Sequence, residues 1–326
     1  MVVAKKIVLL GTGGTIAGTS AVAGANTGYT AAQIGVADLV AAVAALSEVA
    51  SGGLQVEQIA QVDSKDMTHA IWLRLARHCE QFLSDPDVQG LVITHGTDTL
   101  EETAWFLQLV LAPRKPVVLC SAMRPATALA PDGPQNLLDA VVVASEPTAH
   151  GVLCVAAGEI HGAREVSKVH PLRLNAFSSG EAGPLGWVEG RSVRWAHNQP
   201  PSCPVATSER VVQTLPEADL WPQVEIVVSH AGASGAVVRA LAAQGVDGIV
   251  VAATGNGTVH ESIAQALDEP QLQDVAVRIA SRCADGRMLD DADARWPTAN
   301  GLSPVKARIS LMLDLIDDQQ GPGDVE

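Results

Sequence analysis

Leu91-Val92-Ile93-Thr94-His95-Gly96-Thr97-Asp98-Thr99-Leu100-Glu101-Glu102-Thr103 is the stretch from which the fold can be read. Its first residues are aliphatic, mostly β-branched and uncharged, as a strand buried on both faces of a parallel sheet requires. That strand is expected to end at Gly96. From Thr99 onward, Leu100, Ala104, Leu107 and Leu111 recur at helical spacing. Asp98 and Thr99 each have a Glu three residues later, the pattern of a capping box. Thr97 and Asp98 therefore lie where a strand hands over to a helix. In open α/β sheets ligands bind beyond the carboxyl ends of the strands, beside helix N-termini whose free N–H groups attract negative charge. Capping alone would explain Asp98 and Thr99; the recurrence of such turns along the chain favours chemistry.

Working outward, residues 5–10 form a buried-strand candidate, followed by Gly11-Thr12-Gly13-Gly14-Thr15-Ile16-Ala17-Gly18. This glycine-rich turn is out of register with G-x-G-x-x-G and has no following Lys-Ser/Thr, so it reads neither as a dinucleotide fingerprint nor as a P-loop. It presents two hydroxyls, Thr12 and Thr15. Residues 20–30, small and poorly patterned, read as a flexible loop over a site, and carry the single tyrosine, Tyr29. A helix is predicted over 31–46 and a strand over 54–62. Asp63-Ser64-Lys65-Asp66-Met67-Thr68 is the next strand-end turn, with Thr68 or Asp66 placed to cap the helix that follows. A strand over 116–121 leads into Ala122-Met123-Arg124-Pro125, a helix is expected over 135–145, and a strand over 151–157. A polar segment at 162–168 includes Lys168, and residues 183–195 read as a hairpin turning at Glu189-Gly190.

From 197 to 222 periodicity disappears and prolines stand at 200, 201, 204, 216 and 222, marking a linker. The domain expectation is thus 1–196, a linker at 197–222, and 223–326. The last part reads as a smaller α/β unit with strands near 224–229, 248–252 and 275–280 and helices near 233–243, 259–267 and 305–315. The fold class is α/β: a larger N-terminal domain with a mainly parallel sheet flanked by helices, plus a smaller C-terminal α/β domain.

Composition narrows the function. The chain has 326 residues, 47% of them hydrophobic, enough for two domains of ordinary size. No apolar run approaches the roughly 20 residues of a membrane span. The amino terminus reads as strand and turn instead of a secretory signal, so a cytoplasmic location is expected. A net charge of −15 without a basic run opposes binding to nucleic acid or an anionic membrane surface. The odd number of widely spaced cysteines, Cys79, Cys120, Cys154, Cys203 and Cys283, reads as reduced thiols in a core. Neither they nor the nine histidines show metal-ligand spacing, so no metal site is expected.

Gathered on one sheet edge, the turns supply Thr12, Thr15, Ser64, Lys65, Thr97, Asp98, Ala122 and Lys168. A threonine hydroxyl needs a neighbouring base or field to become a nucleophile, and a Lys beside a carboxylate can supply one. N–H groups at Thr97 and Ala122 could form an oxyanion hole. The set suits acyl transfer or amide hydrolysis by threonine, without cofactor.

Six separated motifs carry a resemblance. Thr12-Gly13-Gly14-Thr15-Ile16-Ala17-Gly18, Asp63-Ser64-x-Asp66-Met67, Thr94 to Thr103, Ala122-Met123-Arg124-Pro125, Asp132-Gly133-Pro134-x-Asn136-Leu137 and Gly255-Asn256-Gly257 resemble the bacterial-type L-asparaginases, in order over residues 5–316. The resemblance implies hydrolysis of L-asparagine, and of L-glutamine as an alternative, to the amino acid and ammonia. It also implies a homotetramer with active sites at subunit interfaces. Carried over, it implies Thr12 as nucleophile supported by Tyr29, with Thr97, Asp98 and Lys168 as the second catalytic group. Ser64, Lys65, Thr97, Asp98, Ala122 and Asn256 are the substrate-binding set it implies. Two departures stand out: Lys65 replaces the Gln or Glu frequent in the family, and the loop at 282–296 contains Asp285, Asp290, Asp291 and Asp293 but no Glu. A non-catalytic amino-acid-binding module is the rival from another class, and a nucleotide-dependent oxidoreductase a more distant one.

Overall fold

The computed structural model describes residues 4–22, 24–196, 212–289, 291 and 294–320 and divides into two compact units, Met1–Thr214 and Leu215–Glu326. In the first unit β1 (Lys6–Gly13) is followed by short helices α1 (Val36–Ala41) and α2 (Leu46–Val49). Then come β2 (Leu54–Val62), α3 (His69–Ser84), β3 (Val88–Thr94), α4 (Leu100–Leu111), β4 (Val117–Cys120), α5 (Gly133–Ser145) and β5 (Val152–Ala156). After these run β6 (Glu159–Gly162), two-residue strands β7 (Ser167–Lys168) and β8 (Phe177–Ser178), and the hairpin of β9 (Gly186–Glu189) and β10 (Ser192–Trp195).

The main sheet has the order β10-β9-β6-β5-β4-β3-β1-β2, while β7 and β8 pair separately. Neighbours from β2 to β5 are parallel, and β6, β9 and β10 close the far edge antiparallel. Ile7, Leu9, Val92 and Val118 pack with Leu137 and Val141 of α5 in one core. The alternate residues Val8, Leu10, Leu91 and Ile93 are equally buried, which explains why these strands read as unbroken aliphatic runs. β1 lies between β2 and β3, so the chain leaves β1 toward one side and returns on the other. The carboxyl ends of β1 and β3 thereby flank the switch point at which open α/β sheets form a ligand crevice.

The predicted helix over 31–46 forms only as α1 and α2. Ala32 takes a left-handed φ of 55° and its N–H bonds to the Gly14 carbonyl, while Gln33 and Ile34 donate to Ala17. This segment spends its amides on the first strand-end turn, and the helix starts only after Gly35. The hairpin turns at Gly190-Arg191, both at positive φ, one residue later than expected.

The second unit carries β11 (Val224–Val228), α6 (Ala236–Ala243), β12 (Gly248–Ala253), α7 (Glu261–Leu267), β13 (Ala276–Ser281) and α8 (Pro304–Gln320). Its three strands form a parallel sheet in the order β11-β12-β13. Most of the expected linker, 197–211 with Cys203, lies outside the described residues. Cys79, Cys120 and Cys154 are buried and Cys283 is exposed.

Candidate active site

The first strand-end turn departs from expectation in one respect that matters. β1 continues through the glycines, so Thr12 lies inside the strand, 1% exposed, with its hydroxyl donating to the Thr94 carbonyl at 2.9 Å. Only at Gly14 does the chain turn, into a single 3-10 turn at Thr15–Ala17. The Thr15 hydroxyl stands 2.8 Å from that of Tyr29. The expected support of Thr12 by Tyr29 is therefore corrected: Tyr29 meets Thr15, the first hydroxyl beyond the sheet, while Thr12 joins two strands. The Tyr29 loop is tied down at several points. Thr19 and Thr30 bridge its neck, Ser20 N–H donates to the Thr127 hydroxyl at 2.9 Å, and Gly24 N–H to the Thr127 carbonyl at 3.3 Å.

The second turn follows β3. Lys168 Nζ donates to Thr97 Oγ1 at 2.8 Å and to Asp98 Oδ1 at 2.5 Å. Thr97 is 5% exposed, whereas the Asp98 side chain is half-exposed. The expected cap of α4 does not form: its N-terminus has no side-chain cap, and the Thr99 hydroxyl donates instead to the Ser64 carbonyl at 2.7 Å. Glu101 accepts from Ser167 Oγ at 2.8 Å and from Lys168 N–H at 3.0 Å.

These two turns touch through backbone. A Cβ added at Gly14, φ 82°, would stand 2.3 Å from Gly96 N, and one at Gly96 would stand 2.4 Å from Ser64 Oγ. Any side chain at either position would push the turns apart. Below Gly96 lies a buried chain of bonds. Trp72 Nε1–H donates to Thr103 Oγ1, whose hydroxyl donates to His95 Nε2, and His95 Nδ1–H donates to the Gly96 carbonyl at 2.7 Å. Burial holds that imidazole neutral and pushes its pKa down to about 4.

Ser64 belongs to the same site: it is 2% exposed, and its Oγ accepts from Asp98 N–H at 3.2 Å. Lys65 does not join it. Its ammonium is exposed and paired with Asp66 at 2.5 Å and Asp63 at 3.3 Å, which raises its pKa through the Asp66 and then the Asp63 contact. The 3-10 turn at Ser64–Asp66 points Ser64 inward and the next side chain out. Ala122 is buried in the turn after β4. Asp132 shapes that turn by accepting from Met123 and Arg124 N–H, both at 2.9 Å, and Asn136 Nδ2 donates to the Ser121 carbonyl at 2.9 Å. Thr68 caps α3, as one of the two expected candidates.

Asn256 lies in the second unit, where its Oδ1 accepts from Leu289 N–H at 2.8 Å. Asp285 and Asp291 are exposed, and Asp290 and Asp293 lie outside the described residues.

With this geometry in view, comparison with known proteins is decisive. Residues 6–201 match the family model for the asparaginase N-terminal domain, and residues 223–321 that for the glutaminase/asparaginase C-terminal domain. The chain belongs to the asparaginase family. Among its relatives is a glutaminase-asparaginase of Pseudomonas fluorescens biotype A, 39% identical over 322 residues, covering 96% of this chain and 87% of the relative. L-asparaginase 2 of Escherichia coli is 38% identical over 316 residues, covering 95% and 88%. The crystal structure of a probable cytoplasmic L-asparaginase from Campylobacter jejuni superposes with a TM-score of 0.86 at 37% identity, covering 97% of each chain.

Within this asparaginase-family chain, the structure brings together Tyr29, Ser64, Thr97, Asp98 and Lys168, adds Thr15, and leaves Thr12 and Lys65 engaged elsewhere. Sequence reading placed Thr15 in the inventory without giving it a role. The signal for it was the pair Gly13-Gly14: both take positive φ, and the first hydroxyl beyond that bend is the one that leaves the sheet.

Proposed function

We propose that the chain hydrolyses L-asparagine to L-aspartate and ammonia through a threonyl ester, with Thr15 as nucleophile. The observation that carries this reading is the contact of two strand-end turns at the β1/β3 switch point, one presenting Thr15 with Tyr29 and the other Thr97 with Lys168 and Asp98. Thr15 Oγ1 adds to the side-chain amide carbon while its proton passes through the Tyr29 hydroxyl to the amide nitrogen, the C–N bond breaks and that nitrogen leaves as ammonia. Water then attacks the ester, releasing aspartate and restoring the hydroxyl. Because the Lys168 ammonium donates to Thr97 Oγ1, the Thr97 O–H is turned outward to orient that water. N–H groups of Thr97 and Ala122 receive the charge developing on the amide oxygen. Ser64 and Asp98 hold the substrate's α-carboxylate and α-ammonium, and Asp98's exposure leaves an oxygen for that second bond.

The domains assigned to these tasks are 1–196 and 223–326. We further read the working enzyme as a cytoplasmic homotetramer with active sites between subunits, to which Asn256 contributes. The name of the Campylobacter jejuni neighbour supports that location, whereas a Haemophilus influenzae relative is named periplasmic.

A glutaminase-asparaginase is the second reading. It is favoured by Lys65, which is turned away from the head-group site, and by relatives bearing that name. Ammonia release from L-asparagine and L-glutamine, measured in parallel from micromolar to millimolar, tests both. Saturation at low asparagine with little glutamine turnover supports the first, comparable kcat/KM for both amides supports the second, and no release from either refutes both.

A further inference from the structure

We propose that Glu101 is a positioning residue: its carboxylate clamps β7 to the first turn of α4 and so holds the Lys168 ammonium on Thr97 and Asp98. The proposal rests on the role given above to Lys168. Lysine has a flexible four-carbon stem, and its ammonium finds two partners only if its backbone is fixed. β7 gives little fixation by itself, being two residues long and paired with the two residues of β8 in a separate two-stranded sheet. Glu101 supplies the rest. Oε1 accepts from the Lys168 backbone N–H at 3.0 Å and Oε2 from Ser167 Oγ at 2.8 Å, so both carboxylate oxygens are spent on β7. Glu101 follows Thr97 and Asp98 by four and three residues on the same turn-to-helix segment. One rigid element thus sets both ends of the Lys168 contact: its backbone through Glu101, its ammonium through Thr97 and Asp98. A Glu three residues after Asp98 has the spacing of a capping box, yet its carboxylate is aimed across the molecule, 67 residues along the chain.

The test compares Glu101→Ala, Glu101→Gln and Ser167→Ala, each in the full-length enzyme, by asparagine turnover and crystal structure. In Glu101→Ala, kcat is expected to fall on the order of 100-fold, the cost of a misplaced catalytic group, with KM little changed. Glu101→Gln should recover most of that loss, because its carbonyl still accepts from Lys168 N–H while its amide donates to the Ser167 hydroxyl. Ser167→Ala should show a smaller loss. When Lys168 is already Met, Glu101→Ala should cost nothing further, since the clamp then has no ammonium to place. The crystal structure of Glu101→Ala should show the ammonium withdrawn from hydrogen-bonding distance of Thr97. The proposal is overturned if the ammonium stays on Thr97 and Asp98 in that structure, or if the two losses simply multiply in the double variant. If Lys168→Met turns over asparagine normally, it is the catalytic reading of Lys168 that fails, and the crystal structure still decides the clamp.

Discussion

Replacing each of the two threonines of the first turn by the near-isosteric valine separates a nucleophile from a strut. Thr12 is 1% exposed and its hydroxyl donates to the Thr94 carbonyl across the β1/β3 seam. Thr12→Val leaves that carbonyl short of a donor, at a cost of about 1–2 kcal/mol. In a unit of this size each kcal/mol lowers Tm by roughly 2–4 °C, so a fall of roughly 2–8 °C is expected. Turnover should stay at the wild-type order of magnitude. Thr15→Val removes one hydroxyl contact, to Tyr29, and should change Tm less, yet it deletes the attacking atom. Losses on removing a nucleophile run to about four orders of magnitude or more in kcat. Thermal unfolding and ammonia release on the same preparations give both numbers. A folded Thr12→Val enzyme without activity, alongside an active Thr15→Val enzyme, would refute the assignment and restore Thr12 to the role its motif suggested.

Three further outcomes are expected. Thr97→Val and Lys168→Met should each slow release of the ester more than its formation, so that intact-mass measurement after mixing with asparagine shows an adduct on Thr15; unmodified protein in both variants would count against the two-step route. Lys65→Ala should leave kcat/KM for both amides within about twofold, since its exposed ammonium is committed to Asp63 and Asp66 and a surface pair of this kind contributes little. Stability should decline as pH falls from about 6.5 to 4. Burial depresses His95 and His161 to about 4 in the folded protein, so over that window the unfolded chain binds more protons. Each such group stabilises fully above its unfolded pKa, by on the order of 3 kcal/mol, and that contribution is lost on acidification. Urea midpoints that do not move between pH 7 and pH 4.5 would show that these imidazoles are not held neutral.

The sheet was legible because its central strands are buried on both faces and therefore spelled in aliphatic runs; residues 54–62 and 91–94 read as strands and are strands. What periodicity could not show was how far a glycine-containing strand continues. Gly11 and Gly13 add nothing to a hydrophobic pattern, so the pattern ends β1 three residues early and puts Thr12 on the turn. Residues 31–46 misled in the opposite sense. Alanines suit a helix, but the backbone there is drawn into bonds with Gly14 and Ala17, contacts between segments remote in pattern. Lys65 was a matter of side-chain direction on a single 3-10 turn, which spacing alone does not determine. His95 was legible as a strand-end residue, whereas its bonds to Gly96 and Thr103 depend on α4 returning beside β3.

The start of α4 shows how local and tertiary demands were resolved. By sequence Asp98 and Thr99 should cap the helix and Glu101 and Glu102 complete the boxes, a saving of about 1 kcal/mol. The structure leaves the helix without a side-chain cap and turns these groups outward. Asp98 goes to Lys168, the Thr99 hydroxyl to the Ser64 carbonyl, and the Glu101 carboxylate to β7. The Asp98 and Glu101 bonds tie the turn after β3 to β7 and the Thr99 bond ties it to the turn after β2, so three local preferences are exchanged for the alignment of β2, β3 and β7 around one crevice. Such exchanges are expected where a site must be held, because elsewhere nothing offsets the lost cap. The acidic residues still favour the positive end of the helix dipole, which limits the cost of the exchange. Two acidic side chains at one helix start can therefore be aimed at a lysine and its backbone without leaving the helix end uncompensated.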